Sequence, residues 1–287
     1  AHINMPATFM WARGLEAYPV RIEFENLPPD WNIATQLFPT DDGTVFTAPD
    51  LAYFLDSPTE LSAHSTREWA VASNGNDYTI RLAVHHAGTG TDLDAYADLA
   101  KRIVAEQIAV FGELPEYETG TYTFIADYLP YVNGDGMEHR NSTVLTSRNS
   151  LSFGARANLS TLSHEFFHGW NVERIRPESL EPFDLEEANM SGELWFAEGF
   201  TSYYAPLAIR RAGIADDTDY ADDISRALGA VISAPGRRFF SPVEMSMQAP
   251  FVDAAVSIDP QNTDNTFISY YDWGSVIGLG LDLTLRT

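Results

Sequence analysis

The sequence predicts an α+β protein, because strand-like and helix-like patterns occupy successive parts of the chain. Up to about residue 87, short runs alternate apolar with polar residues and are separated by clusters of Pro, Asp and Gly, which is typical of β-strands and turns. From residue 89 to residue 112, apolar residues recur at helical spacing. After residue 158 the pattern is helical, and helices are predicted over 158–176, 193–211, 219–233 and 272–285.

The change of pattern near Gly88 divides the chain into two predicted domains. Residues 1–88 form a β-rich N-terminal domain, and residues 89–287 form a second domain that opens with a helix. Two more strands are predicted in the second domain, at 122–126 and 142–145. The last predicted helix is apolar and few residues follow it, so we expect this chain to be a piece of a longer protein, truncated at its C-terminus.

Composition excludes several classes of protein. The chain has 287 residues, of which 45% are hydrophobic and 20% charged, as in ordinary globular proteins. With 41 acidic residues against 17 Lys and Arg, its net charge of −24 would repel a nucleic-acid backbone, so we expect no nucleic-acid partner. The absence of cysteine excludes disulfides and cysteine metal ligands, and no apolar run is long enough for a membrane span. These observations leave open whether the protein is cytoplasmic, periplasmic or secreted. They also leave its oligomeric state open.

The strongest chemical signal is an H-E-x-x-H pattern at residues 164–168, inside a predicted helix. Residues four apart lie above one another on one face of a helix, so His164 and His168 can bind one Zn²⁺ together. Glu165 projects beside them, within reach of the water that attacks a substrate. The pattern therefore predicts one catalytic zinc ion.

A catalytic zinc ion needs a third protein ligand, and two downstream glutamates are candidates. Glu198 lies 30 residues after His168 among apolar side chains, where a carboxylate favours a cation as its partner. Glu193 lies near a helix start, where the helix dipole already favours an acid. We therefore favour Glu198 as the third ligand and keep Glu193 as the alternative. Three histidines outside the motif are interpreted as ordinary surface or packing residues, because they lie in a predicted strand or near the start of the chain: His2, His85 and His86.

Three segments carry a resemblance to a known family. They read H-E-F-F-H-G-W-N-V at 164–172, R-I-R-P at 174–177 and L-W-F-A-E-G at 194–199, and segments at 9–20 and 46–58 add a less specific match. On these segments the chain resembles the glycyl aminopeptidase family of zinc metallopeptidases, which belongs with the aminopeptidase N and thermolysin-like enzymes. The resemblance implies that residues 89–287 form a thermolysin-like catalytic domain. Members of that family usually carry a C-terminal PDZ domain, which has no counterpart in this sequence.

The same resemblance implies roles for two more residues. Residues 134–139, G-D-G-M-E-H, are similar to a G-x-M-E-N segment whose glutamate receives the substrate's α-amino group, which implies that role for Glu138. Residues 270–274, Y-Y-D-W-G, are similar to a Y-x-K-G segment whose tyrosine stabilises the oxyanion. Alignment on Gly274 implies that this tyrosine is Tyr271, although Trp273 stands where the relatives have a basic residue.

Together these features predict a zinc-dependent aminopeptidase that acts on peptides, with Glu165 as the general base. A preference for glycine or another small N-terminal residue is implied by the family name alone. Two alternatives stay open. In a zinc endopeptidase Glu138 would be incidental, and in a catalytically silent relative the same site would only bind a peptide or a metal.

Overall fold

The computed structural model describes residues 1–252 and 267–287, which fall into two compact units, Ala1–Gly169 and Trp170–Thr287. The first unit is rich in strands. Its strands are β1 (His2–Ile3), β2 (Val20–Glu23), β3 (Asn32–Thr35), β4 (Phe38–Pro39), β5 (Val45–Ala48), β6 (Thr59–Ser62), β7 (Ser65–Ser73), β8 (Asn76–His86), β9 (Thr121–Tyr128), β10 (Asp135–His139) and β11 (Ser142–Ser147). Its helices are α1 (Met5–Thr8), α2 (Leu51–Leu55), α3 (Gly90–Phe111) and α4 (Ala155–Phe167).

The strands of the first unit form three sheets. Two antiparallel sheets of three strands have the orders β1-β6-β3 and β2-β5-β4, and a five-stranded sheet has the order β10-β11-β9-β8-β7. In the large sheet β9 runs parallel to both β8 and β11, while the edge strands β7 and β10 are antiparallel to their neighbours. This arrangement confirms the predicted α+β class. The large sheet contains strands from both sides of the predicted domain boundary at residues 88 and 89. The boundary itself stays a prediction.

The two faces of the large sheet have different coverings. On one face, Leu82 of β8 and Phe124 of β9 are cross-strand partners with no exposed surface. The ring of Phe124 packs on Phe166 of α4, with the ring centroids 5.4 Å apart, so this face carries the helix. The opposite face packs against β3 through a small cluster of buried side chains: Ala34, Ala83 and Ile125. Successive residues of a strand point to opposite faces, which is why these neighbouring positions face different layers.

Helix α4 ends earlier than its sequence pattern predicts. The prediction of a helix that continues to Arg176 is wrong, because the regular helix ends at Phe167 and turns follow. His168 still has helical backbone angles, and its N–H donates to the carbonyl oxygen of His164 at 3.4 Å. The N–H of Gly169 instead donates to the carbonyl oxygen of Phe166, which tightens the last turn and stops the helix.

The described part of the second unit is helical. It contains α5 (Leu194–Arg211), α6 (Asp217–Ser233), α7 (Pro242–Ser246), α8 (Ala249–Val252) and α9 (Tyr270–Arg286), with short 3₁₀ turns at Glu178–Leu180 and Pro235–Arg238. Three of these helices, α5, α6 and α9, confirm the predicted ones to within two residues at each end. Within residues 1–252 and 267–287, every helix is too short or too polar to be a membrane span.

Glycines bring α5 and α9 into backbone contact. A Cβ atom on Gly274 would overlap the carbonyl oxygen of Trp195, and one on Gly199 would overlap the backbone of Gly274. Only residues without a side chain allow two helices to approach this closely. The contact places the turn that carries Glu198 beside the first turns of α9.

Candidate metal and peptide site

The two motif histidines present their rings on the same side of α4. The ring centroids of His164 and His168 are 4.7 Å apart and the rings are inclined by 79°. His168 is buried, with 1% of its surface exposed, while His164 is partly exposed. Two neighbouring imidazoles at i and i+4 are a donor pair that zinc prefers, so the residues present fit the predicted ion.

A buried glutamine anchors the turn of α4 that precedes the first histidine. The side-chain amide of Gln107, on α3, donates to the carbonyl oxygen of Ser163 at 2.6 Å and to the hydroxyl of Ser163 at 2.9 Å. Gln107 has no exposed surface, so these bonds are shielded from water. Sequence reasoning missed this residue, because a lone polar residue within a helical pattern carries no local signal of a long-range partner.

The carboxylate of Glu165 lies directly against the backbone of strand β10. Glu165 is 6% exposed. A Cβ atom on Gly136 would overlap the Glu165 carboxylate and come within 2.6 Å of Thr161 Cγ2, also on α4. A glycine is therefore needed at this position of the strand. The G-D-G-M-E segment contained this signal, but the sequence alone did not say what the glycine approaches.

The structure brings Glu138 to the histidine motif. Glu138 lies two residues after Gly136 on β10, and therefore on the same face of the strand. One ligand atom each of Glu138, Glu165 and His168 lie within 4.8 Å of one another. Strand β10 is an edge strand of the large sheet, and an exposed edge can hydrogen-bond an extended peptide.

Polar contacts, one of them fully buried, hold the turn between β10 and β11. The carboxylate of Asp56 accepts a hydrogen bond from the backbone N–H of Arg140 at 3.0 Å and lies 2.8 Å from Nδ1 of His139. The backbone N–H of Asn141 donates to Gln36 Oε1 at 2.8 Å. These bonds fix the end of β10, and with it the position of Glu138.

In the second unit the two candidate third ligands have different surroundings. Glu193 is exposed at the N-cap of α5, where its carboxylate accepts a hydrogen bond from the Ser191 hydroxyl at 2.7 Å. Glu198 is partly buried one turn into the same helix, between Ala197 and Gly199, which are both buried. The structure therefore supplies a local partner for Glu193, the hydroxyl of Ser191.

A side chain that sequence reasoning missed ties the segment after the motif to α5. Asn171, three residues after His168, is 3% exposed. Its side-chain amide donates to the carbonyl oxygen of Ala197 at 3.0 Å and to the Thr201 hydroxyl at 3.2 Å. The chain that leaves the motif is thus fixed to the helix turn that carries Glu198.

Tyr271 lies in the first turn of α9 and is partly exposed. Its ring stacks on that of Tyr270, with centroids 5.0 Å apart and planes inclined by 27°. Tyr270 is 1% exposed and belongs to a buried cluster with Met245 and Ala249, against which Trp273 also packs. Of the two tyrosines, Tyr271 is the one with solvent-accessible surface, and Trp273 acts in packing.

The structure resembles solved peptidases. An aminopeptidase N family protein from Idiomarina loihiensis matches 99% of this chain and 49% of its own chain, with 26% identity and a TM-score of 0.81. A mutant M1 zinc metallopeptidase from Deinococcus radiodurans, bound to a Tyr-Ser-Ala substrate, matches 93% of this chain and 52% of its own, with 16% identity and a TM-score of 0.53, and shows a shared fold. The chain thus spans about half the length of these proteins.

Sequence comparison identifies the family directly. No curated protein matches the chain. The family model for the Peptidase M61 N-terminal domain matches residues 1–63, and the model for M61 glycyl aminopeptidase matches residues 157–277, which include the histidine motif, Glu198 and Tyr271. The two matches occur in order and together cover more than half of the sequence. The chain therefore belongs to the M61 glycyl aminopeptidase family.

Proposed function

We propose that this protein is a zinc-dependent aminopeptidase that hydrolyses the N-terminal peptide bond of peptides. The observation that carries the proposal is the position of Glu138, whose carboxylate lies within 4.8 Å of ligand atoms of Glu165 and His168 on an edge strand. A carboxylate beside the reacting groups of a metallopeptidase motif suits the ammonium terminus of a peptide. Family membership supports the same class of reaction.

We propose that His164, His168 and Glu198 hold the zinc ion. The two imidazoles of α4 support this ligand set, as does the Asn171 side chain that ties the segment after the motif to the turn preceding Glu198. When bound, zinc supplies a Lewis acid and makes water a better nucleophile at neutral pH.

Glu165 is the proposed general base. Its carboxylate is nearly buried and lies against Gly136, which supports its role in taking a proton from the attacking water. The same carboxylic acid then returns the proton to the nitrogen of the leaving amine. One residue thereby serves both proton transfers, and its charge is restored at the end of the cycle.

Glu138 and Tyr271 are proposed to contact the substrate directly. In this proposal the edge of β10 pairs with the extended peptide, and Glu138 binds its α-ammonium group. Because Glu138 lies close to Glu165 and His168, the first residue of the peptide is held at the reacting groups and residues are removed singly. The phenol of Tyr271 donates a hydrogen bond to the carbonyl oxygen as negative charge develops there. A preference for glycine or another small N-terminal residue is a narrower proposal, supported by the family alone.

Turnover of aminoacyl anilides with free and acetylated α-amines tests the proposal. We expect the chain to cleave glycyl and alanyl anilides, a chelator to abolish cleavage and added zinc to restore it. Acetylated substrates should be inert, and Glu165→Gln should bind zinc without turnover. Cleavage of acetylated peptides would identify an endopeptidase instead, and zinc binding without any cleavage would identify a silent peptide- or metal-binding relative.

A further inference from the structure

Two cross-strand pairs in the first unit bring together a second set of metal-binding side chains. His2 of β1 lies opposite Glu60 of β6 in one three-stranded sheet. His85 of β8 lies opposite Asp127 of β9 in the five-stranded sheet. His85 and Asp127 follow the pattern of Ala83 and Ile125, so they point to the face that packs against the three-stranded sheet.

The centre of this set is a buried acid. The Glu60 side chain is 1% exposed, and neither of its carboxylate oxygens accepts a hydrogen bond within residues 1–252 and 267–287. Nδ1 of His2 lies 3.8 Å from one of these oxygens, and Nδ1 of His85 lies 3.8 Å from the other. A buried carboxylate without hydrogen bonds is costly unless a cation compensates its charge.

We propose that His2, Glu60 and Asp127 bind a second divalent cation of the zinc class, with His85 beside Asp127. One ligand atom from each of the three residues lies within 4.8 Å of the others. Imidazole nitrogen and carboxylate oxygen are the donors that zinc and similar ions take from proteins. The site shares no residue with the proposed catalytic set, and it reverses the interpretation of His2 and His85 as ordinary residues.

The distances within the set suit such an ion. Ligand bonds of 2.0–2.1 Å in a tetrahedral site place donor atoms about 3.4 Å apart. Within the set, Nδ1 of His2 lies 3.8 Å from Glu60 Oε2, and the neighbouring Nδ1 of His85 lies 3.8 Å from Glu60 Oε1 and 3.2 Å from Asp127 Oδ1. The His2 and His85 side chains are 28% and 31% exposed, which leaves a path for an ion from solvent.

An ion at this position has a structural role. It would join β1 and β6 to β8 and β9, and so tie the first strand of the chain to the large sheet. Metal binding to the folded state alone raises stability. The competing cation is the amino nitrogen of Ala1, which lies 3.5 Å from Glu60 Oε1. If that group alone compensates Glu60, no metal binds at this place.

Protein that has been stripped of metal, reloaded with zinc and freed of excess ion tests the inference separately from catalysis, because the zinc ions bound per chain can then be counted. We expect two ions per chain in the unsubstituted protein, one in the H164A, H168A double variant and one in the H2A, D127N double variant. His86→Ala, a change on the same strand beside His85, should leave the count at two. If the H2A, D127N double variant still binds two zinc ions per chain, the second site is overturned. If the H164A, H168A double variant still binds two, the catalytic ligand set is overturned.

A second measurement leaves the cluster intact. In the H164A, H168A variant, zinc should raise the thermal midpoint and slow modification of His2 by diethyl pyrocarbonate at least fivefold, while His86 reacts at an unchanged rate. Equal reactivity of His2 with and without zinc would overturn the inference even if the substituted cluster fails to fold.

Discussion

The α-carbon of Gly136 on β10 packs against the carboxylate of Glu165 on α4, so closely that a single methyl group at residue 136 would overlap that carboxylate. The edge strand proposed to bind the substrate and the proposed general base are therefore in direct contact. A change in the strand at this point must move the base.

Gly136→Ala is expected to lower kcat by about 100-fold, because displacing a catalytic group by about 1 Å costs on that order. Zinc content should stay at the unsubstituted level, since neither histidine is touched. Steady-state kinetics and metal analysis measure the two effects. Gly134→Ala is the control, because its nearest neighbour is a backbone oxygen at 3.9 Å and its activity should not change. Full activity in Gly136→Ala would contradict the assignment of Glu165.

Glu138→Gln is expected to lower kcat/KM for substrates with a free α-amine by about 10- to 100-fold, because a hydrogen bond to a charged group contributes about 1.5–3 kcal/mol. The discrimination against acetylated substrates should shrink by the same factor. Asp135→Asn removes the same charge from the other face of the strand. This control should leave both kcat/KM and the discrimination against acetylated substrates unchanged. An unchanged ratio of free to acetylated turnover in Glu138→Gln would assign α-amine binding to another group.

Glu198→Gln is expected to weaken zinc binding by at least about 100-fold, since even partners of metal ligands contribute about 10- to 100-fold to affinity. Glu193→Gln serves as the matched control in the same segment and should bind zinc as the unsubstituted chain does, because the Glu193 carboxylate is exposed and accepts a hydrogen bond from the Ser191 hydroxyl. Competition with a fluorescent zinc indicator gives both affinities. If Glu193→Gln alone weakens binding, the choice between the two acids was wrong.

Gly274→Ala is expected to lower the free energy of unfolding by about 1–3 kcal/mol or more, the usual cost of overpacking, because a Cβ atom there meets the carbonyl oxygen of Trp195. Gly280→Ala, on the same helix with nothing within 4 Å of its added Cβ, should raise stability by up to about 1 kcal/mol through helix propensity. Urea unfolding followed by circular dichroism measures both. Equal effects of the two substitutions would contradict the close contact of α5 and α9.

Local patterns were sufficient for much of this fold. The helical spacing that predicted 193–211 corresponds to α5 at Leu194–Arg211, because its apolar residues, among them Ala205 and Ile209, face the interior. The end of α4 could not be predicted the same way. Apolar residues such as Trp170 and Val172 continue the pattern beyond Phe167, but they are buried in turns, where burial and not helical periodicity selects them.

Long-range contacts account for what the sequence analysis missed. The bond from Gln107 to Ser163 and the bond from Asn171 to Ala197 each join residues far apart in the chain, and nothing at either end marks the partner. His2 and Glu60 are similar, since only the pairing of β1 with β6 makes them neighbours. The motif histidines were predictable because a helix alone brings residues four apart together.

The most direct test is an anomalous difference map, collected at the zinc edge from crystals of this chain. The account predicts a peak bonded to one nitrogen each of His164 and His168 and to a carboxylate oxygen of Glu198, at about 2.0–2.2 Å. A peak bonded to Glu138, Glu165 and His168 with Glu198 turned away, or no peak near the two histidines, would contradict it.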